Sequence, residues 1–142
     1  MELSDAIGFA RTTRQSVLTT IRASGRPQLS NVWHQVDDAG VIRVSITAAR
    51  VKYSNLTRQP WAALHVTRAD FLAYAVIEAD VELSPIAAEP GDATVDELVA
   101  HYRRVVGEHR DWDEFRRTQV RERRVVARLT PTRAYGMLPR QQ

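Results

Sequence analysis

The spacing of its turns constrains this chain most. Between Gln15 and Ser84, runs rich in β-branched and aromatic residues recur every eight to twelve residues, separated by residues that reverse a chain. QSVLTTIR (15–22) runs into the turn ASGRPQ, where Gly25 and Pro27 supply the reversal. LSNVWHQV (29–36) closes on DDAG, and VIRVSIT (41–47) follows. In that third run Ile42, Val44 and Ile46 alternate with Arg43, Ser45 and Thr47, which puts an apolar row on one face of a strand and a polar row on the other. WAALHVT (61–67) is a fourth strand, and LAYAVIEADVELS (72–84) is long enough to call for a bend or a bulge. Strands this close together are joined as antiparallel neighbours, and the rhythm is that of a small barrel. Regular βαβ alternation is absent, which argues against a doubly wound parallel sheet.

Helices are expected at four places. SDAIGFART (4–12) has Ser4 in position to cap a short one. VKYSNLTRQP ends at Pro60 and reads as a second. Thr94 and Glu97 make a capping-box pattern ahead of Val95, Leu98, Val99, Tyr102 and Val106, with Gly107 as the stop. Asp111 and Glu114 repeat the pattern ahead of a helix over roughly 112–124. The chain then returns to strand in VVARLTP and TRAYGML. With 142 residues and no repeat, linker or low-complexity tract, the expectation is one domain over residues 1–142, mainly β with flanking helices.

Composition removes several classes of chemistry. The sequence has no cysteine, so disulfides and thiolate metal sites are excluded. No apolar run approaches the roughly 18 residues of a membrane span, and the first residues lack a signal-peptide core, so a soluble cytoplasmic protein with no membrane partner is expected. The formal charge of +3 comes from excess arginine rather than a uniformly cationic surface. In the densest basic run, FRRTQVRERRVVAR (115–128), the arginines scatter around a helical wheel and Glu122 interrupts them. They read as a solvated helix face rather than a nucleic-acid site. His34, His65, His101 and His109 have no metal-ligand spacing, and His34 and His65 read as partly buried, hydrogen-bonded strand residues. Glu78, Asp80 and Glu82 share one strand face and read as facing solvent. There is no G-x-S-x-G, and nothing in the spacing pairs Ser30 with a histidine.

The six glycines form neither a dinucleotide fingerprint nor a Walker loop. Any phosphorylated ligand must therefore be held by charged side chains. Lys52 is the single lysine in the sequence, two residues from Arg50 and just beyond Ser45 and Thr47. Chance retention would explain a lone lysine. A second reading is chemical: in extended backbone positions i and i+2 point the same way, so a guanidinium fork and a compact ammonium converge on one anion.

The segments TTIRASGRPQLSNVW, VSITAARVKYSNLTRQPWAALHV, YRRVVGEHRDWDEFR and TPTRAYGML together resemble the pyridoxamine 5′-phosphate oxidase-like proteins. More narrowly they resemble the actinobacterial branch that uses the deazaflavin coenzyme F420. The ordered motifs G-R-P-Q-L-S-N and R-x-K-x-x-N-L carry the resemblance, from about residue 15 to residue 138. It implies a split β-barrel and an obligate homodimer with cofactor sites in the grooves between subunits. It implies a phosphate seat at Arg50 and Lys52, cofactor contacts at Asn31 and Ser45, and further contacts at Gln28 and Thr47. Tyr74 is implied to reach the cofactor from the partner subunit. Leu72 stands where relatives often carry an aromatic, which bears on substrate stacking.

The activity so implied is hydride transfer from reduced F420 to a small conjugated acceptor, with no catalytic acid or base named. FMN shares the phosphate and the tricyclic ring and stays open as the cofactor. Three further alternatives stand beside this reading. One is a non-catalytic protein that stores F420 or a pigment. Another is a nucleic-acid module built on the arginine run. The last is a pyridoxamine phosphate oxidase, for which the C-terminal segment looks short.

Overall fold

In a computed structural model, which describes residues 1–139, six antiparallel strands close into a barrel flanked by four helices. In chain order these are α1 (Leu3–Ala10), β1 (Gln15–Ile21), β2 (Pro27–Val36), β3 (Ile42–Thr47), α2 (Val51–Arg58), β4 (Trp61–Thr67), β5 (Tyr74–Leu83), α3 (Ala93–Val105), α4 (Trp112–Arg121) and β6 (Arg124–Met137). Around the barrel the order is β1-β2-β3-β6-β5-β4. The expected small barrel with two late helices outside it is what forms. No helix among the described residues is long and apolar enough to cross a membrane.

The alternation read in the sequence is the physical cause of closure. Leu18, Ile42, Val44, Ile46, Leu64, Ile77 and Leu129 all point inward and are essentially inaccessible. Each such side chain contributes about 1.5–3 kcal/mol through removal from water. The long fifth strand carries the expected irregularity, a register shift between Glu78 and Ala79. Its partner is one continuous strand, β6, where two runs were expected. Residues 124–129 of β6 pair with β3 and residues 127–137 with β5, so a single strand serves both neighbours and is bonded on both sides at 127–129.

The caps differ from expectation at two helices. At α1, Ser4 lies inside the helix; Glu2 is the cap residue and makes no side-chain cap bond. At α3 the cap is Asp92, whose Oδ1 accepts from the Val95 amide at 2.8 Å. Thr94 instead donates to the Pro85 carbonyl. Glu97 is engaged elsewhere. Arg43 on β3 and Arg128 on β6 lie directly opposite one another, and Glu97 bonds both guanidiniums. A carboxylate flanked by two arginines gains more there than from a helix-end amide. Those bonds, Arg128's foremost, hold the Glu97 carboxyl below its ordinary range. They fix α3 against the barrel, where Val95, Leu98 and Val99 pack with Val126 and Phe115. At α4 the expected cap holds, with Asp111 accepting from the Glu114 amide.

His34 ties α1 to the barrel. Its Nε2 lies 2.8 Å from the Ala10 carbonyl and its Nδ1 lies 2.7 Å from Ser16 Oγ. A carbonyl only accepts, so Nε2 carries the proton and the neutral ring accepts from Ser16. Burial favours that neutral form and lowers the pKa of the histidine. His65 is half-buried, its ring edge-on to Tyr74. Among the three carboxylates expected to face solvent, Asp80 and Glu82 are exposed; Glu78 is partly covered by an ion pair with Arg133.

Candidate cofactor site in the split between β2 and β3

The barrel is closed but not evenly stitched. The β2–β3 ladder has only three paired positions, His34↔Val44, Gln35↔Arg43 and Val36↔Ile42. Beyond His34, β2 continues to pair with β1 and β3 continues to pair with β6, but the two strands part from each other. Peptide groups in an antiparallel strand alternate sides, so part of each parted edge faces the gap instead of a strand. The gap widens into a cavity of about 650 Å³, within the range of small-molecule sites.

Gln28, Asn31, Ser45, Thr47, Arg50 and Lys52 all line this cavity. Six of the seven residues expected from the sequence are thus brought together. Tyr74 is not: it opens β5 on the far side of the barrel, packed against His65.

The reason expected for the convergence of Arg50 and Lys52 needs correction. They do not share an extended segment. Arg50 is the cap residue of α2, with extended backbone, and Lys52 lies in the first helical turn. They meet at the cavity because the helix starts between them. The Tyr53 amide bonds the Arg50 carbonyl, but α2 has no side-chain cap bond, so the Val51 and Lys52 amides are open to an anion. Backbone groups therefore add to the charged side chains, without any glycine loop.

The floor beneath α2 is fixed by a buried relay. Asn55 Nδ2 donates to Thr20 Oγ1 at 3.1 Å, and Thr20 donates to Gln28 Oε1 at 3.1 Å. The relay sets the Gln28 amide so that its Nε2 end bonds the neighbouring Leu29 carbonyl. Lys52 Nζ donates to Ser30 Oγ at 3.3 Å, which accounts for Ser30 without a histidine. Lys52 is half-buried; desolvation lowers its pKa first, and repulsion from Arg50 and Arg124 lowers it further.

Arg124 was missed by the sequence reading, which placed it on the wheel of an arginine-rich helix. That helix ends at Arg121, and Arg123 turns the chain with a left-handed backbone of φ 53°. Arg124 is then the first residue of β6, opposite Thr47 and beside the cavity. The apolar VVARL that follows it was the available signal. The other end of the cavity is walled by α3 and α4, mostly through Leu98, Tyr102, Val105 and Phe115, with His101 and Gln119 among them. A cationic end and an apolar end in one cavity suit a ligand with an anionic head and a flat apolar body.

Residues 8–138 match the pyridoxamine 5′-phosphate oxidase family. The chain belongs to that family. Solved structures share the fold. Conserved hypothetical protein Rv2991 from Mycobacterium tuberculosis is 22% identical, with a TM-score of 0.73, and the match covers 100% of this chain and 91% of that one. A protein described as F420 Reductase is 24% identical with a TM-score of 0.68, over 89% of this chain and 93% of that one. A pyridoxamine 5′-phosphate oxidase-related, FMN-binding protein from Nostoc punctiforme is 15% identical with a TM-score of 0.58, over 94% of this chain and 81% of that one. Family membership and the parted barrel agree: the split is the fold's own opening, and in this chain polar and cationic side chains line it.

Proposed function

We propose that this protein is an oxidoreductase that binds coenzyme F420 in the β2–β3 split and serves hydride transfer to a small conjugated acceptor. The observation that carries the reading is the seat formed by Arg50, Lys52 and the uncapped start of α2, at one end of a cavity whose other end is apolar. A guanidinium fork, an ammonium and the two free amides of Val51 and Lys52 are groups of the kind that hold a phosphate. Gln28, Asn31, Ser45 and Thr47 supply the neutral hydrogen bonds that orient the ring system. Similarity to a protein described as an F420 reductase supports the deazaflavin over other cofactors.

When bound, the reduced cofactor supplies the hydride. The chain's own contribution is anchoring, orientation and exclusion of water. Arg50 and Lys52 fix the head, the parted strand edges set the plane of the ring, and Leu98, Tyr102 and Phe115 keep one end dry.

The site is proposed to be completed by a second copy of the chain. Asn31, Val17, His65, Val76 and Tyr135 form one row across the outer faces of five strands by ladder register. Exposed Leu29, Trp33, Tyr74 and Met137 flank it. An outer face with this many exposed large apolar side chains is a surface for another subunit. In a homodimer it would let Tyr74 reach the partner's cavity although it is remote from its own.

FMN is the second reading. It is favoured by the likeness to an FMN-binding protein and by the shared phosphate chemistry. The test is to mix purified protein with reduced F420 and a panel of quinones and conjugated carbonyls and to follow reoxidation. Acceptor-dependent oxidation is expected. Tight F420 binding without turnover on any acceptor would make the protein a carrier or store. A yellow preparation that produces peroxide would assign FMN. Light scattering is expected to give twice the monomer mass of 16.1 kDa.

A further inference from the structure

Three cations surround the polar end of the cavity, and only one has a carboxylate partner. Among the described residues, Arg50 and Lys52 form no ion pair. Arg124 Nε bonds Glu122 Oε2 at 2.8 Å, and its Nη1 donates to Ser45 Oγ at 3.3 Å. Arg50, Lys52, Arg124 and Glu122 all line the same cavity. Thr47 and Arg124 are directly opposite on β3 and β6, with Ser45 two residues along. Arg124 therefore approaches the seat from the strand side while Arg50 and Lys52 approach from the helix side.

We propose that Arg124 is a third anion-binding residue of this seat and that Glu122 is its resident counter-ion, so that the site selects a head group bearing two adjacent negative charges. The proposal rests on the phosphate-seat reading above. Three cations less one carboxylate leave two uncompensated charges facing one space. A phosphate monoester dianion satisfies both. A phosphodiester does so when a carboxylate lies beside it. A lone monoanion leaves the ammonium facing an unmatched guanidinium. A neutral tricycle gains nothing from this end of the cavity. The lowered pKa of Lys52, caused first by burial and then by Arg50 and Arg124, agrees with cations held closer than water alone would favour. Ser45 has a positioning role here, since its hydroxyl accepts from Arg124 and turns the guanidinium along the β3 edge.

Lys52 makes the idea directly measurable because it is the single lysine in the sequence. Protein labelled with ¹⁵N,¹³C-lysine gives one side-chain signal, whose titration reports the seat in the free protein. The same signal follows the addition of inorganic phosphate, dimethyl phosphate, FMN, riboflavin and F420. Arg124→Gln is expected to raise the Lys52 titration midpoint and to weaken inorganic phosphate and FMN by tenfold or more. Arg124→Lys should restore most of the binding. Glu122→Gln is expected to tighten phosphate severalfold. Dimethyl phosphate, a monoanion, is expected to bind weakly and to respond little to Arg124→Gln. FMN tighter than F420 would identify a monoester head, and F420 tighter than FMN a diester with a carboxylate; either order supports the two-charge seat. An unchanged midpoint and unchanged affinities in Arg124→Gln, with Lys52→Ala still weakening phosphate, would overturn the role of Arg124 and leave the seat intact. Weaker phosphate binding in Glu122→Gln would overturn its role as counter-ion. Indifference of every anion to both Lys52→Ala and Arg124→Gln would overturn the seat itself.

Discussion

Two sides of the same barrel differ in how they are held. On one side β5 and β6 pair from Tyr74↔Met137 to Leu83↔Ala127, interrupted only by the shift at Glu78 and Ala79. On the other side β2 and β3 pair at three positions and then separate. The zipped side is satisfied by its own hydrogen bonds and by the inward row of Ala75, Ile77, Ala79 and Val81. The parted side is lined by hydroxyls, amides and cations. A barrel can leave one seam open when its strands are secured through their other neighbours, as β2 is through β1 and β3 through β6. Substitutions on the zipped side should therefore be read as loss of fold, and those in the seam as loss of binding with the fold retained.

The sharpest test of that division is Gly136, which pairs with Ala75 in the β5–β6 ladder. A Cβ there would lie 2.3 Å from the Tyr74 carbonyl oxygen and 2.9 Å from the Ala75 Cα, at a φ of 147°. Gly136→Ala is expected to cost about 3 kcal/mol or more, from strain combined with overpacking. Urea unfolding checks this, and a loss below about 1 kcal/mol would mean that the zipped side is looser than described.

The next effect is read in pH at His101, which α3 contributes to the wall of the cavity and whose burial makes it matter to the fold. Burial, with nearby Arg43 and His34 adding to it, lowers His101 to about 4 from 6.5. Between those values the unfolded chain binds a proton that the folded chain refuses, so stability falls as pH drops from 6.5 towards about 4. The loss amounts to about 3 kcal/mol if the whole shift is expressed. His34, lowered by burial in the same direction, leaves part of the slope in place. His101→Leu is expected to flatten most of this limb in denaturation measured at successive pH values. An unchanged slope would assign the acid sensitivity elsewhere.

The smallest expected change in stability is in the seam. Lys52→Ala is expected to move unfolding stability by no more than about 0.5 kcal/mol, because it removes an unpaired, half-buried charge and one long hydrogen bond. The same substitution is expected to weaken cofactor binding at least tenfold, about 1.4 kcal/mol. A variant that binds normally but unfolds easily would invert the comparison.

How far the sequence could be read follows the same division. The zipped strands announce themselves because an inward apolar row is a local pattern of period two. WAALHVT was legible to the residue as β4, and the length of LAYAVIEADVELS required the irregularity that the shift at Glu78 and Ala79 provides. Caps were less legible because capping side chains have competing partners. Glu97 fits a capping box after Thr94, yet the two arginines that claim it arrive from strands 54 and 31 residues away. Gln28, Asn31, Ser45, Thr47, Arg50 and Lys52 were legible as a set through family resemblance, and their convergence could not come from spacing alone. The helix start between Arg50 and Val51 is in the sequence as VKYSNLTR, and it is incompatible with one extended segment carrying both cations. Arg124 was hidden because the left-handed turn at Arg123, which moves it from helix to strand, carries no glycine to mark it.

The central claim is that the parted seam seats the phosphate of a tricyclic hydride carrier on Arg50 and Lys52. The most direct test is a side-by-side titration of the purified protein with F420 and with FMN, repeated on Lys52→Ala. The account predicts saturable binding of F420 and a Kd at least tenfold weaker in the variant. Binding of neither compound, or a Kd that ignores the loss of the ammonium, would contradict it.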